Sequence, residues 1–191
     1  MAELRTALLM LIALTGVTGV AYPLLVTGLA QLLFPGPANG SLVYVDGRAA
    51  GSALIGQPFD DPRYFWGRPS ATGGFPNNSA ASSGSNLGPT NDALADAVRG
   101  RIEALRAADP GRTGPVPVDL VTASSSGLDP HLSPAAAAFQ VGRVARERGL
   151  ESESVQALVA EHTHGRWLGL LGEPRVEVLQ LNLALDRQSG R

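Results

Sequence analysis

The chain has 191 residues, 44% hydrophobic and 17% charged, with 15 basic and 17 acidic side chains giving a net charge of -2. That length allows one ordinary domain or one domain plus a membrane segment, and the charge balance leaves no basic field to hold nucleic acid. Every basic residue is Arg and Cys is absent, which removes Schiff-base and Walker-type lysines, the Asp-Lys-Thr phosphorylation loop of ion pumps, thiol nucleophiles, disulfides and thiolate metal sites.

The first element is apolar. After Arg5 no charge occurs until Asp46, and Ala7 to Phe34 is broken only by Thr, Gly, Tyr, Pro and Gln. As a helix this run reaches about 42 Å, against a hydrocarbon core of about 30 Å, so it can span a bilayer with tilt. A cleaved leader competes, with Arg5 as the basic start and Gly19-Val20-Ala21 as a cleavage site. The run nevertheless continues through Leu24, Leu29, Leu32, Leu33 and Phe34, which a mature secreted domain would have to bury. An uncleaved anchor over residues 1–34 is the better reading. Pro23 removes one backbone hydrogen bond mid-span and should bend the helix. Ala13, Gly16 and Gly19, with Thr15 and Thr18, have the small-residue composition that lets another helix approach. Arg5 and the α-amino group precede the span and only Arg48 closely follows it. This tilt favours the N-terminus in the cytoplasm and the domain outside.

Residues 35–191 are then expected to fold as one domain, large enough to bury a core unaided. Leu42–Val45, turn Asp46-Gly47 and Ala49–Ile55 read as a hairpin with a type I′ turn. A short strand is expected at Tyr64-Phe65-Trp66. From Gly67 to Asn91 the chain is rich in Gly, Ser, Asn and Pro, and a loop of that length is normally either functional or disordered. Thr90 or Asn91 should cap a helix to about Ala107, with Leu94, Val98, Ile102 and Leu105 on one face. Val116–Thr122 looks like a buried strand. Ser133-Pro134 opens a helix over Ala135–Arg148, and a further helix should cover about Ser152–His162. The alternation in Arg175–Leu185 argues for a strand. The class is therefore α/β or α+β, with a small sheet and no internal repeat.

Local chemistry is sparse. Ser124, Asp129 and His131 put hydroxyl, carboxylate and imidazole close in sequence. A catalytic triad draws these groups from separate elements, and no Gly-x-Ser-x-Gly elbow is present, so a Ser-type hydrolase is an outside alternative. His162 and His164 could share one side of a strand, but a zinc site needs more ligands. Asp60-Asp61 before Pro62 reads as a solvated turn. No catalytic or metal-ligating residue is assigned.

The segments GSALIGQPFDDPRYFWGRPSA (Gly51–Ala71), GSNLGPTN (Gly84–Asn91), VDLVTASSSGLDPHLSPAAAAFQVGRVARERGL (Val118–Leu150) and GEPRVEVLQLNLALD (Gly172–Asp186) follow one N-terminal span. In that order and spacing they closely resemble the KdpC family, the C subunit of the Kdp potassium-transporting ATPase. The resemblance implies a non-catalytic accessory subunit in a bacterial plasma membrane. Its partners would be a channel-like potassium-binding subunit, a P-type ATPase catalytic subunit and a small fourth subunit. It implies no cofactor of the chain's own, ATP and K⁺ being handled by the complex, and a chaperone-like role that raises the ATP affinity of the ATPase subunit. An extracytoplasmic domain cannot touch cytoplasmic ATP, so such an effect would be transmitted through the assembly. The family's proposed nucleotide-linked Gln falls on Gln140. Glu177, Phe139 and Ser125 depart from residues common in the family. The family resemblance is strong on both flanks of the polar loop, which suggests docking to the channel-like subunit through Arg68, Ser70, Asn86 and Asn91, with Arg68 offering its planar fork. The remaining alternative is a secreted or anchored periplasmic binding protein.

Overall fold

The structure, a computed structural model, describes residues 1–188; residues 189–191, the end of the expected 35–191 domain, lie outside the described residues. Backbone contacts divide the chain into two compact units, Met1–Ala50 and Gly51–Arg191. The boundary thus falls later than the end of the apolar run.

In the first unit, helix α1 (Ala2–Leu14) passes through a π-helical stretch (Thr15–Ala21) into α2 (Tyr22–Leu33). The continuous helix Ala2–Leu33 has a mean hydropathy of 2.0 over its most apolar window, none of it buried, and is long and apolar enough to cross a membrane. The bend expected at Pro23 takes the form of a wider helical turn just before it. Pro23 has no N–H to give the Gly19 carbonyl, and the preceding Tyr22 N–H bonds to Val17 O, five residues back. Thr6 and Thr18 donate their hydroxyls to the carbonyls of Ala2 and Leu14, at 3.1 and 2.7 Å, which keeps both polar groups satisfied along the helix. A short helix α3 (Pro35–Ala38) follows. Strands β1 (Leu42–Val45) and β2 (Arg48–Ser52) then form the expected hairpin, shorter at its second strand. Asp46 and Gly47 have φ of 50° and 75°, the two positive values a type I′ turn requires.

The second unit has its apolar centre in four helices and a three-stranded antiparallel sheet. Helix α4 (Asp92–Ala108) is capped by Asn91, whose side chain accepts from Ala93 N–H. Strand β3 (His131–Leu132) leads into α5 (Pro134–Arg148), where Ser133 accepts from Ala136 N–H and Pro134 occupies the first turn. Helix α6 (Ser152–Glu161), strands β4 (Thr163–His164) and β5 (Arg175–Glu177), and α7 (Val178–Gln188) follow. The sheet order is β3-β5-β4, with Leu132 and Thr163 both opposite Val176. Val176 is fully buried and packs with Leu132, Val144, Val155, Leu181 and Leu185. The mixed helix and small-sheet class expected from the sequence is the one observed.

Three expected strands differ. Val116–Thr122 contains a 3₁₀ turn, Val118–Leu120, with Val118 exposed and Leu120 buried; Pro117 within the segment and Pro115 just before it lack the N–H that a strand ladder needs. Arg175–Leu185 is strand only to Glu177 and helix from Val178. Its alternating leucines also fit a helical period, because Val178, Leu181, Asn182 and Leu185 lie on one buried stripe. Tyr64-Phe65-Trp66 pairs with no strand. Side chains take the place of a neighbouring strand there.

Candidate functional site

The segment 61–70 forms a strap whose backbone is read by side chains from α5 and α7. Phe65, fully buried, donates its N–H to Asn182 Oδ1 at 2.9 Å, and its carbonyl accepts from Asn182 Nδ2 at 3.0 Å. One residue on, Trp66 N–H donates to Gln140 Oε1 at 2.8 Å and Trp66 O accepts from Gln140 Nε2 at 3.1 Å. Each primary amide therefore supplies the donor and acceptor pair that an adjacent strand would supply. Gln140 and Asn182 are each 1% exposed. Isolated buried amides are costly, and matched ones fix a unique register.

Arginines lock the same strap. Arg143, 2% exposed, donates to Gln140 Oε1 at 2.6 Å and to Pro62 O, and its guanidinium lies 4.5 Å over the Trp66 ring. Burial lowers its pKa to about 10, which still leaves it charged at neutral pH. Arg148 donates to Arg63 O at 2.7 Å and to Asp186 Oδ1 at 2.8 Å, and stacks 4.6 Å from Tyr64, whose hydroxyl reaches Asp186 Oδ2 at 3.1 Å. At the strap's start, Arg63 grips Asp61 through Nε and Nη2. The Arg63 side-chain and backbone bonds hold the Asp61 carboxyl at about 2.

The polar loop 67–91 is tied to the turn 123–129 by hydrogen bonds rather than by apolar burial. Arg68 Nη1 donates to Asp129 Oδ2 at 3.0 Å and Nη2 to Ala123 O at 3.4 Å. Ser70 Oγ donates to Gly127 O at 2.8 Å and accepts from Asn77 N–H at 2.9 Å. Ser83 N–H bonds to Ser126 O at 3.0 Å, and Asn77 Nδ2 to Gly127 O at 3.3 Å. Gly127 sits at φ 67°, and a Cβ there would come within 2.7 Å of Ser83 O, so only Gly lets the two segments close. Asp129 is the hub of this tie. Burial raises its carboxyl, but bonds from the His131 ring and N–H and from Arg68 outweigh that and hold it at about 2. A cleft of about 370 Å³ opens between the strap and α4, lined by Phe59, Trp66, Pro69, Arg101 and Leu105.

The residues singled out from the sequence fall as follows. Gln140, where the family's nucleotide-linked Gln falls, is buried, and its amide carries Trp66. Arg68 turns its fork towards Asp129 and Ala123 of its own chain. Ser70 is engaged with Gly127 and Asn77, Asn86 is exposed with φ of 52°, and Asn91 is the cap of α4. Asp129 and His131 do meet, at 3.3 Å, but the Ser124 hydroxyl lies 3.4 Å from Ser126 Oγ and makes no bond to His131. His162 Nδ1 bonds to Leu158 O, whereas His164 Nε2 faces Glu177 at 3.4 Å, so the two rings do not share a ligand position. Among the described residues, no three His, Asp or Glu side chains converge as a metal ion requires. Asn182, Arg143, Arg148 and Asp186 were missed; the one available signal was a lone Asn inside the leucine run of 179–185.

A family profile described as KdpC, K⁺-transporting ATPase c chain, matches residues 4–187. The chain belongs to the KdpC family. Its relatives include proteins named potassium-transporting ATPase KdpC subunit from Sorangium cellulosum (strain So ce56), 67% identical over 97% of this chain and 98% of the relative. A second, from Polaromonas naphthalenivorans (strain CJ2), is 68% identical over 96% of this chain and 93% of the relative. A third, from Methylococcus capsulatus (strain ATCC 33009 / NCIMB 11132 / Bath), is 66% identical over 95% and 96%. The family match takes in the strap, both amide-bearing helices and the apolar N-terminal helix together.

Proposed function

We propose that this chain is the single-span, non-catalytic accessory subunit of an ATP-driven potassium uptake complex in a bacterial plasma membrane. Its N-terminus lies in the cytoplasm and residues 51–188 outside it, as the basic residue before the span favours. The observation that carries the reading is the inward use of the domain's polar groups: Gln140, Asn182, Arg143, Arg148, Arg68 and Asp129 all hold the chain's own backbone. A rigid platform for assembly needs such a structure, and a reaction centre needs groups left open to substrate. The partners are the channel-like potassium-binding subunit, the P-type catalytic subunit and the small fourth subunit. The chain has no cofactor of its own. Any rise in the ATP affinity of the catalytic subunit travels through the assembly, and Gln140 contributes by fixing Trp66 rather than by touching nucleotide. The outer side of loop 67–91, stiffened from within by Arg68, faces the channel-like subunit.

Purification through a tag on this chain should recover the other subunits and potassium-stimulated ATP hydrolysis, and alkaline phosphatase fused to the C-terminus should be active. Omitting the chain should weaken the complex or its apparent ATP affinity. ATP turnover by the chain alone would overturn the accessory assignment.

A further inference from the structure

The connection between β4 and β5 takes part in neither the strap nor the core. Trp167, Leu168, Leu170 and Leu171 there are 66%, 75%, 80% and 60% exposed. Single exposed apolar residues are ordinary, but four in one short turn are not. The turn is closed on itself. Trp167 N–H donates to Leu171 O at 2.8 Å, Leu171 and Leu170 N–H return to Trp167 O at 3.0 and 3.1 Å, and Gly169 N–H bonds to Arg166 O at 3.1 Å. Leu168 is held at φ 52°, a left-handed conformation unfavourable for a bulky residue that persists only when its surroundings enforce it. At the base, Arg166 Nη2 bonds both Glu173 oxygens at 2.9 and 2.8 Å, so the two flanking charges cancel.

We propose that this tip is a second, shallow membrane contact, with Trp167 at headgroup level and the three leucines in the outer acyl region of the leaflet from which the anchor emerges. The proposal rests on the reading of Ala2–Leu33 as a membrane span. Given that span, residues 34–50 form a tether that reaches no more than about 60 Å even when fully extended. That tether keeps the tip at a high local concentration beside lipid. Within that neighbourhood its chemistry fits lipid. Trp and Leu are the residues of interfacial insertion, and four of the five N–H groups of Trp167–Leu171 are already bonded within the turn, which lowers the cost of entering an apolar medium. The neutralised base removes the charge that would resist burial.

The test uses the full chain in phosphatidylcholine vesicles, with and without brominated acyl chains, and reads Trp fluorescence. The chain has two Trp residues, and Trp66 is held in the domain by Gln140 and Arg143. Brominated lipid should quench Trp167, roughly half of the total emission, and Trp167→Phe should abolish that quenching. Leu170→Asp should reduce it while leaving the circular dichroism spectrum unchanged. Co-flotation of the chain with the vesicles reports the anchor separately, so failure of the span and failure of the tip are distinguishable. A floating chain whose quenching is the same with and without Trp167 would overturn the proposal. Protection of Trp167 that arises only when the partner subunits are added would also overturn it, by assigning the tip to protein.

Discussion

The N-terminal helix and α5 invert the usual relation between hydropathy and burial. In Ala2–Leu33 the most apolar stretch of the chain has no buried residue, with Leu24 at 68% and Leu32 at 77% exposed. In α5, a Gln and an Arg are among the most enclosed side chains of the protein, at 1% and 2%. The first helix carries its own hydrogen bonds and asks only for an apolar solvent, so a bilayer suits it. The second sits beside a strap that has backbone donors and acceptors but no strand neighbour, so it must bring polar groups inward. Exposure of the first and burial of the second each follow from who satisfies the backbone.

The most direct way to break that comparison is to remove an amide. Gln140→Leu or Asn182→Leu leaves a buried N–H and C=O unpaired, each costing about 1–3 kcal/mol, so stability should fall by about 2–5 kcal/mol. Thermal melting of the detergent-solubilised chain checks this, and loss of only a few tenths would mean water replaces the amide. The loss should not be additive in the double variant, because both amides hold adjacent residues of one strap.

The converse change puts a polar group into the other helix. Val17→Arg, near the middle of Ala2–Leu33, should disfavour insertion by about 2.5–3.5 kcal/mol. Less of the chain should then resist alkaline extraction from membranes. Melting of the 51–188 unit should stay unchanged.

The smallest expected effect is on pH dependence. The folded carboxyls of Asp129 and Asp61 both lie at about 2, below the usual 3.8. Their contribution is therefore present above about pH 4 and is lost as pH falls towards 2. Asp129→Asn should lower the melting temperature at pH 7 and flatten its fall between pH 4 and 2. Asp61→Asn should do less, because its ion pair with Arg63 is more exposed. Identical acid profiles for wild type and Asp129→Asn would remove Asp129 from its place at the centre of the loop tie.

Helix ends were the most legible feature of the sequence. A cap at Thr90 or Asn91, the Ser133-Pro134 start and the Asp46-Gly47 hairpin turn each follow from residue chemistry acting over a few positions, and the structure has all three, with Asn91 as the cap. Periodicity was ambiguous where two periods share residues. The leucines from 179 to 185 satisfy a spacing of two as well as one of 3.6, and Asn182 looks outward on the first and inward on the second. Arg68 shows a different limit. Its position in a polar loop suggested a group offered to a partner, whereas its carboxylate, Asp129, lies far along the chain.

By itself the sequence determined the medium of the first helix, the caps and the tight turn, and the family, because these depend on composition, on local hydrogen bonding or on long ordered similarity. Only the tertiary structure decided that Gln140 and Asn182 stand in for a missing strand and that loop 67–91 is stitched to 123–129. Those arrangements depend on which backbone groups are left unpaired once distant elements have packed, and no local pattern records that.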